Sequence, residues 1–156
     1  MIDPGADSDG SFSLEQDAAA LAGKADRRHG ARSKVVLVID DDPAVLGSLK
    51  FSLEIEGFSV RCYDSPAAFL TAGDLPLRAC LVVDQQLPGI SGLDLLASLD
   101  AERRAAMPAI LITSYPSATL RGKAEAVGVR IVEKPLLSNA LSEAIMQVMT
   151  QGSVQG

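Results

Sequence analysis

The sequence predicts a doubly wound α/β domain, in which helices cover both faces of a parallel five-stranded sheet. Five short runs rich in apolar and β-branched residues recur along the chain, and segments with helical spacing separate them. Runs that are apolar throughout are typical of strands buried on both faces. Because parallel strands need crossover connections, strands that alternate with helices indicate a parallel sheet.

The predicted strands are VVLVI (35–39), FSVRC (58–62), ACLVV (79–83), AILIT (109–113) and VRIV (129–132). Asp42-Pro43 and Ser65-Pro66 each resemble a helix N-cap followed by proline at the first helical position. Leu46, Leu49 and Leu53 supply an apolar face for the first helix. Three more helices are predicted to begin at Ser91, at Pro116 or Ser117, and at Ser138.

Length and composition indicate one globular domain, with 47% hydrophobic residues among 156. We expect a flexible tail at 1–33, the domain at 34–150 and a C-terminal tail at 151–156. The net charge of -6 and the scattered basic residues argue against direct binding of nucleic acid or anionic membranes. The acidic start MIDPGADSDG does not resemble a signal peptide, so we expect a cytoplasmic protein.

Chemically active side chains stand where the predicted strands end. Asp40, Asp41 and Asp42 follow the first strand and Asp84 the third, Thr113 ends the fourth, and Lys134 follows the fifth. In doubly wound folds these ends share one edge of the sheet, which is where ligands bind. Clustered carboxylates repel one another unless a cation lies among them, and Mg²⁺ suits such a cluster.

The position of Asp84 on a central strand predicts a role in phosphoryl transfer. Its carboxylate could face both a bound metal and an incoming phosphoryl group. It would form an acyl phosphate if the negative charge on the transferring group is neutralised. Mg²⁺ and Lys134 would supply positive charge, and the Thr113 hydroxyl could donate to a phosphoryl oxygen.

The segments VIDDD, LVVDQQLPGISG, ILITS and IVEKP, in this order, resemble the receiver domain of two-component response regulators over about residues 34 to 150. The resemblance implies a flavodoxin-like strand order of 2-1-3-4-5 and a cis peptide between Lys134 and Pro135. It also implies a role for each matching residue: Asp40 and Asp41 as metal-binding acids, Gln86 as a metal ligand through its backbone carbonyl, Asp84 as the phosphorylation site, Thr113 as the switch hydroxyl, and Lys134 as the partner of the phosphoryl group.

The function that this resemblance implies is a phosphorylation switch and not a metabolic enzyme. A sensor histidine kinase would phosphorylate Asp84 with Mg²⁺, and an unidentified downstream protein would read the change. The surface of the fourth predicted helix, the fifth strand and the last helix is expected to meet partners, and it is also the candidate surface for a homodimer, although the sequence does not determine the oligomeric state. We predict no output domain within the chain, so the output would come from another protein or from a longer parent chain.

Three positions depart from the family pattern or govern its chemistry. Ile131 stands where the family commonly has Tyr or Phe, so we expect Tyr115 to take part in signalling instead. In the family, the positions of Gln86 and Tyr115 govern how water reaches the acyl phosphate. Their bulk predicts slow dephosphorylation.

Two other functions are compatible with parts of the pattern. Asp40 and Asp42 fit the Asp-x-Asp of magnesium-dependent phosphatases resembling the haloacid dehalogenase group. Against that interpretation, the chain lacks a second acidic pair after the lysine and has no room for a cap. Asp84 would also have no role. The other alternative is a degenerate receiver that binds a partner without being phosphorylated. Turnover of a phosphate ester would identify the phosphatase, and a phosphorylation test would identify the degenerate receiver.

Overall fold

The computed structural model describes residues 34–136 and 139–154. The chain from Lys34 onward forms a compact unit. The predicted tail at 1–33, with its single histidine His29, and the predicted helix start at Ser138 lie outside the described residues.

The sheet has the predicted architecture. Five parallel strands pair in the order β2-β1-β3-β4-β5, which confirms the expected 2-1-3-4-5 arrangement. The strands are β1 Val35–Ile39, β2 Ser59–Tyr63, β3 Cys80–Asp84, β4 Ala109–Thr113 and β5 Arg130–Glu133. β3 therefore ends on Asp84 itself, one residue later than the apolar run alone suggested.

Six helices connect or follow the strands in the described part of the chain. They are α1 Pro43–Ile55, α2 Pro66–Leu70, α3 Gly92–Ala97, α4 Ala101–Ala106, α5 Ala118–Ala126 and α6 Ala140–Val154, which continues past residue 150. The predicted caps are confirmed, because the side chain of Asp42 accepts from the N–H of Ala44 and that of Ser65 from Ala68. None of these helices has the length and apolar character needed to cross a membrane.

The third predicted helix is instead two short helices, α3 and α4. Ser91 caps α3, as expected, but the helix ends at Ala97. Asp100 then begins α4, and its side chain accepts from the N–H of Arg103. Because an aspartate that satisfies a free backbone N–H favours a helix start, Asp100 begins a new helix where the sequence predicted a continuous one.

The sheet separates two apolar cores, as a doubly wound fold requires. On one face Leu37, Ile39, Leu81, Val83 and Leu111 pack against α2, α3 and α5. On the other face lies a second set of strand residues with α1 and α6: Val36, Val38, Val82, Ile110 and Ile112. Because side chains alternate along a strand, the central strands β1, β3 and β4 contribute to both cores. This double burial holds their carboxyl ends rigidly.

Candidate functional site

The carboxyl ends of the strands bring the predicted site residues to one edge of the sheet. Asp40 directly follows β1, Asp84 ends the neighbouring β3, Thr113 ends β4, and Lys134 follows β5. The backbone N–H of Asp40 donates to the carbonyl oxygen of Tyr63 at 3.1 Å, which ties this end of β1 to β2. The edge is therefore built by backbone pairing of neighbouring strands.

Asp40, Asp41 and Asp84 form an acidic cluster. One carboxylate oxygen from each lies within 4.8 Å of the others. Asp40 and Asp84 are buried, with exposures of 2% and 7%, whereas Asp41 is exposed. Oδ1 of Asp40 accepts from the N–H of Asp42 at 2.9 Å, but its buried Oδ2 has no hydrogen-bond partner. A buried carboxylate oxygen without a partner is costly, so this atom is suited to meet a ligand.

Burial raises the pKa of Asp40, and the carboxylates of Asp84 and Asp41 raise it further. The N–H of Asp42 and the charge of Lys134 act in the opposite direction and lower the pKa of Asp40. The cluster thus brings several carboxylates together at a partly buried position, where too few hydrogen-bond donors are present to satisfy them. A hard divalent cation such as Mg²⁺ would relieve that repulsion, and carboxylate oxygens are the ligands that it prefers. The residues therefore fit a magnesium ion.

Lys134 stands beside the acidic cluster. Its Nζ lies 3.5 Å from Oδ2 of Asp84, and the Lys134 side chain is 26% exposed. Its backbone N–H donates to the carbonyl oxygen of Thr113 at 2.9 Å. The peptide bond between Lys134 and Pro135 is cis, which confirms that expectation. Asp84 thus has a cation within reach of one of its oxygens.

Thr113 is buried, with 3% of its surface exposed. Its Oγ1 accepts from the backbone N–H of Tyr115 at 3.3 Å. A hydroxyl oxygen that accepts here keeps its own hydrogen free to donate elsewhere. The side chain of Tyr115 is 82% exposed, at the start of the loop that leads to α5.

The loop after Asp84 is held by two neighbouring glutamines. Gln86, the metal ligand expected from the sequence, donates its backbone N–H to Oδ1 of Asp84 at 3.2 Å. Gln85 does more to shape the loop. Its N–H donates to the carbonyl of Ile112 at 2.9 Å, and its side-chain Oε1 accepts from the N–H of Leu93 at 2.9 Å. No pattern in the sequence distinguishes Gln85 from an ordinary polar loop residue.

Gly92, which begins α3, also shapes this loop. Its N–H donates to the carbonyl of Gln85 at 3.0 Å. A Cβ atom here would lie only 2.4 Å from the carbonyl oxygen of Asp84. Gly92 thus allows a close backbone approach to the site.

Comparison with known proteins supports the interpretation of this site. The family model for the response regulator receiver domain matches residues 36–146. The transcriptional regulatory protein FixJ of Azorhizobium caulinodans is 43% identical over 123 residues, which cover 78% of this chain and 57% of that protein. The response regulator protein TodT of Pseudomonas putida is 32% identical over 120 residues, which cover 76% of this chain and 52% of TodT. The chain thus spans about half the length of the curated relatives it matches.

Solved structures share the fold. A CheY-like receiver domain protein from Methanospirillum hungatei superposes with a TM-score of 0.71 at 27% identity, covering 80% of this chain and 99% of that one. Full-length FixJ from B. japonicum gives 0.68 at 32% identity, covering 76% of this chain and 59% of that one. Acidic clusters like this one are typical of the magnesium site of receivers. The chain belongs to the response regulator receiver domain family of two-component signalling.

Proposed function

We propose that the chain accepts a phosphoryl group on Asp84 from a sensor histidine kinase, in a reaction that requires Mg²⁺. The observation that supports this most directly is the setting of the Asp84 carboxylate. It is buried at the carboxyl end of a central strand, near the carboxylates of Asp40 and Asp41, with Nζ of Lys134 at 3.5 Å from Oδ2. A rigid anion beside a metal site and a lysine is suited to phosphoryl transfer.

The metal would be held by Asp40, Asp41, Asp84 and the backbone carbonyl of Gln86. The unpartnered Oδ2 of Asp40 supports this assignment, because the fold itself leaves that buried oxygen without a donor. Bound Mg²⁺ would neutralise charge on the phosphoryl oxygens.

In the proposed step, a carboxylate oxygen of Asp84 forms a bond to phosphorus while the bond between phosphorus and the kinase's histidine nitrogen breaks. The electron pair of that bond stays on the imidazole, which takes up a proton. Lys134 pairs with the transferred group, and the Thr113 hydroxyl donates to one of its oxygens. Lys134 and Asp84 already face each other in an ion pair, so a phosphoryl group on Asp84 would arrive beside a cation.

The phosphorylated chain would then act as a switch for a downstream protein and not as a metabolic enzyme. Phosphorylation would shift a pre-existing equilibrium between two arrangements of the surface formed by α5, β5 and α6. Ile131 of β5 is half-buried and takes the place of the family's usual aromatic residue. Tyr115, exposed beside Thr113, is the proposed signalling residue.

The test is intact mass after incubation with acetyl phosphate, with and without magnesium chloride. Wild type should gain one phosphoryl group only with magnesium, and Asp84→Ala should gain none. Asp42→Asn is the matched control, because Asp42 is an exposed helix cap and should leave the adduct unchanged. No adduct on wild type would overturn the proposal in favour of a degenerate receiver, unless phosphate is released continuously, which would indicate a phosphatase.

A further inference from the structure

The helix α5 is held to the rest of the fold by few apolar contacts. Of its nine residues only Ala124 is buried, Leu120 is half-buried and the others are exposed. Gly122 lies inside the helix, where glycine is less stable than alanine. An element that buries so little apolar surface opens or shifts more readily than a buried one. α5 is therefore suited to move while the sheet stays in place.

A change at Thr113 would reach α5 through the loop between them. Oγ1 of Thr113 accepts from the N–H of Tyr115, and Ser117 caps α5 two residues later. Lys134 pairs with the carboxylate of Asp84 itself, an arrangement that suits an unmodified aspartate. A Thr113 hydroxyl that turns to donate to a phosphoryl group on Asp84 would pull on this loop through its bond to Tyr115. The start of α5 would then shift.

The side chain of Arg104 joins the other end of α5 to α3. Arg104 is half-buried in the last turn of α4 and donates through Nη2 to the carbonyl oxygen of Val127, which caps the end of α5. Its Nη1 donates to the carbonyl oxygen of Leu96 in α3 at 3.2 Å. The last carbonyl groups of a helix lack partners within the helix, so a guanidinium with several donors suits this position. We call this pair of bonds the Arg104 bridge.

The two ends of the Arg104 bridge differ in how firmly they are held. Leu95 and Leu96 are fully buried in the core, so α3 is a fixed support. α5, by contrast, is anchored in the core by the small side chain of Ala124. The bond at Val127 joins a charged donor to a carbonyl at a half-buried position, where such bonds are stronger than neutral ones. The Arg104 bridge thus restrains the weakly held helix against the firmly held one.

The break between α3 and α4 explains how Arg104 comes to lie between the two helices. α4 buries none of its six residues, so the apolar core does not require this helix. Asp100 begins it by accepting from the backbone N–H of Arg103. The side chain of Arg103 takes no part in the Arg104 bridge. The two neighbouring arginines therefore have the same charge but different roles.

We propose that Arg104 is a positioning residue of the phosphorylation switch, which holds α5 in the arrangement that suits an unphosphorylated Asp84. This inference rests on the proposed function, because it identifies a restraint that phosphorylation has to overcome. A displacement of α5 that begins at Tyr115 has to stretch or break the bond at Val127. Arg104 therefore lowers the population of the arrangement that is competent for phosphorylation, and its loss should raise that population.

The first test is hydrogen exchange of the backbone amides in the unmodified full chain, followed by mass spectrometry. Arg104→Met removes both donors and keeps a long apolar stem, so it should speed exchange within 118–127 at least about threefold and leave β3 unchanged. Arg103→Met is the matched control, because it removes the same charge from the next position in α4, and it should exchange as wild type does. Arg104→Lys keeps the charge but loses the planar fork, so its exchange should lie between wild type and Arg104→Met.

The second test is the initial rate at which the chain gains a phosphoryl group from acetyl phosphate with magnesium chloride, measured by intact mass. Arg104→Met should gain the group at least about threefold faster than wild type, because a larger fraction of the chain is competent. Arg103→Met should react at the wild-type rate. A purely structural role for Arg104 would not speed the reaction, since a loosened fold would position Asp84, Thr113 and Lys134 less accurately.

The outcomes separate this inference from the proposed function. Faster exchange confined to α5, together with faster phosphorylation of Arg104→Met, would support the inference. Exchange in α5 that matches wild type, or phosphorylation that is equal or slower, would overturn it. Exchange raised equally in α5 and β3 would also overturn it, because Arg104 would then stabilise the fold as a whole. Wild type without an adduct would instead overturn the proposed function, and with it any role of Arg104 in the switch, whatever the exchange of α5 shows.

Discussion

Among single residues, Asp40 shows most clearly that residues of the site lower the stability of the fold. It is 2% exposed, its Oδ2 lacks a partner, and burial and neighbouring carboxylates raise its pKa. Asn at this position would remove a negative charge and could donate to a neighbouring carboxylate. In the absence of divalent cations, Asp40→Asn is therefore expected to raise the free energy of unfolding by about 1–3 kcal/mol.

The measurement is urea denaturation in buffer with chelator, followed by circular dichroism. Added magnesium chloride should then stabilise wild type by binding the folded state, and it should leave Asp40→Asn nearly unchanged. Asp41→Asn is the exposed control and should gain less stability than Asp40→Asn without metal. If Asp40→Asn were less stable than wild type under chelating conditions, the view of Asp40 as a strained metal ligand would be wrong.

Tyr115 provides a second prediction at this scale. Its ring is exposed, and its backbone N–H donates to Oγ1 of Thr113, so the side chain begins next to the proposed phosphoryl site. If the ring shields the acyl phosphate from water, Tyr115→Ala should lose the phosphoryl group several-fold faster than wild type. The decay of the phosphorylated species after removal of donor measures this rate. Tyr115→Phe, which keeps the ring, should decay at the wild-type rate, and equal rates for all three proteins would refute shielding.

At the scale of elements, the approach of α3 to β3 depends on Gly92. A Cβ atom there would lie 2.4 Å from the carbonyl oxygen of Asp84 and 2.9 Å from a side-chain carbon of Leu111. Because the obstructing oxygen belongs to the backbone of a buried strand, α3 or the end of β3 must shift. Gly92→Ala is expected to lower the free energy of unfolding by about 1–3 kcal/mol.

The control for Gly92→Ala is Gly122→Ala in α5, where the added methyl group meets open space. That change should raise stability by up to about 1 kcal/mol, because alanine favours a helix interior over glycine. Both values come from denaturant unfolding of the purified variants. If Gly92→Ala proved neutral, the contact between α3 and the end of β3 would be looser than the structure indicates.

The burial of β3 on both faces predicts that the stability of the fold depends on pH. Cys80 is fully buried, and burial raises the pKa of its thiol from 9.0 to about 12. Above pH 9 the unfolded chain loses this proton while the folded chain keeps it. The folded state then binds more protons than the unfolded state, so stability falls as pH rises between 9 and about 12, by up to about 1.4 kcal/mol per pH unit.

Comparison with Cys80→Ala isolates this contribution. The variant should be less stable at neutral pH because of the lost side chain, but its stability should fall less steeply with rising pH. Groups that titrate in both proteins cancel in the difference between them. Parallel stability curves for wild type and Cys80→Ala above pH 9 would contradict the assigned origin of the effect.

For the whole molecule, the sequence predicted most of what determines the site. Apolar runs located the ends of the strands, and a parallel sheet brings those ends to one edge, so Asp40, Asp84, Thr113 and Lys134 could be grouped in advance. The fold, the strand order and the cis peptide before Pro135 were predicted correctly. These features follow from hydrophobic pattern and chain order, which the sequence states directly.

Features that depend on distances within the fold could not be predicted in this way. The break between α3 and α4, the bonds of Gln85 and the approach of Gly92 to Asp84 depend on how neighbouring segments meet.

The central claim is that Asp84, among several neighbouring acids, receives the phosphoryl group. Reduction with borohydride converts an aspartyl phosphate into homoserine, so the acceptor can be located by peptide mass spectrometry. After phosphorylation by acetyl phosphate with magnesium, the account predicts homoserine at position 84 and at no other aspartate. Homoserine at position 40, 41 or 42 with an unchanged Asp84 would contradict it.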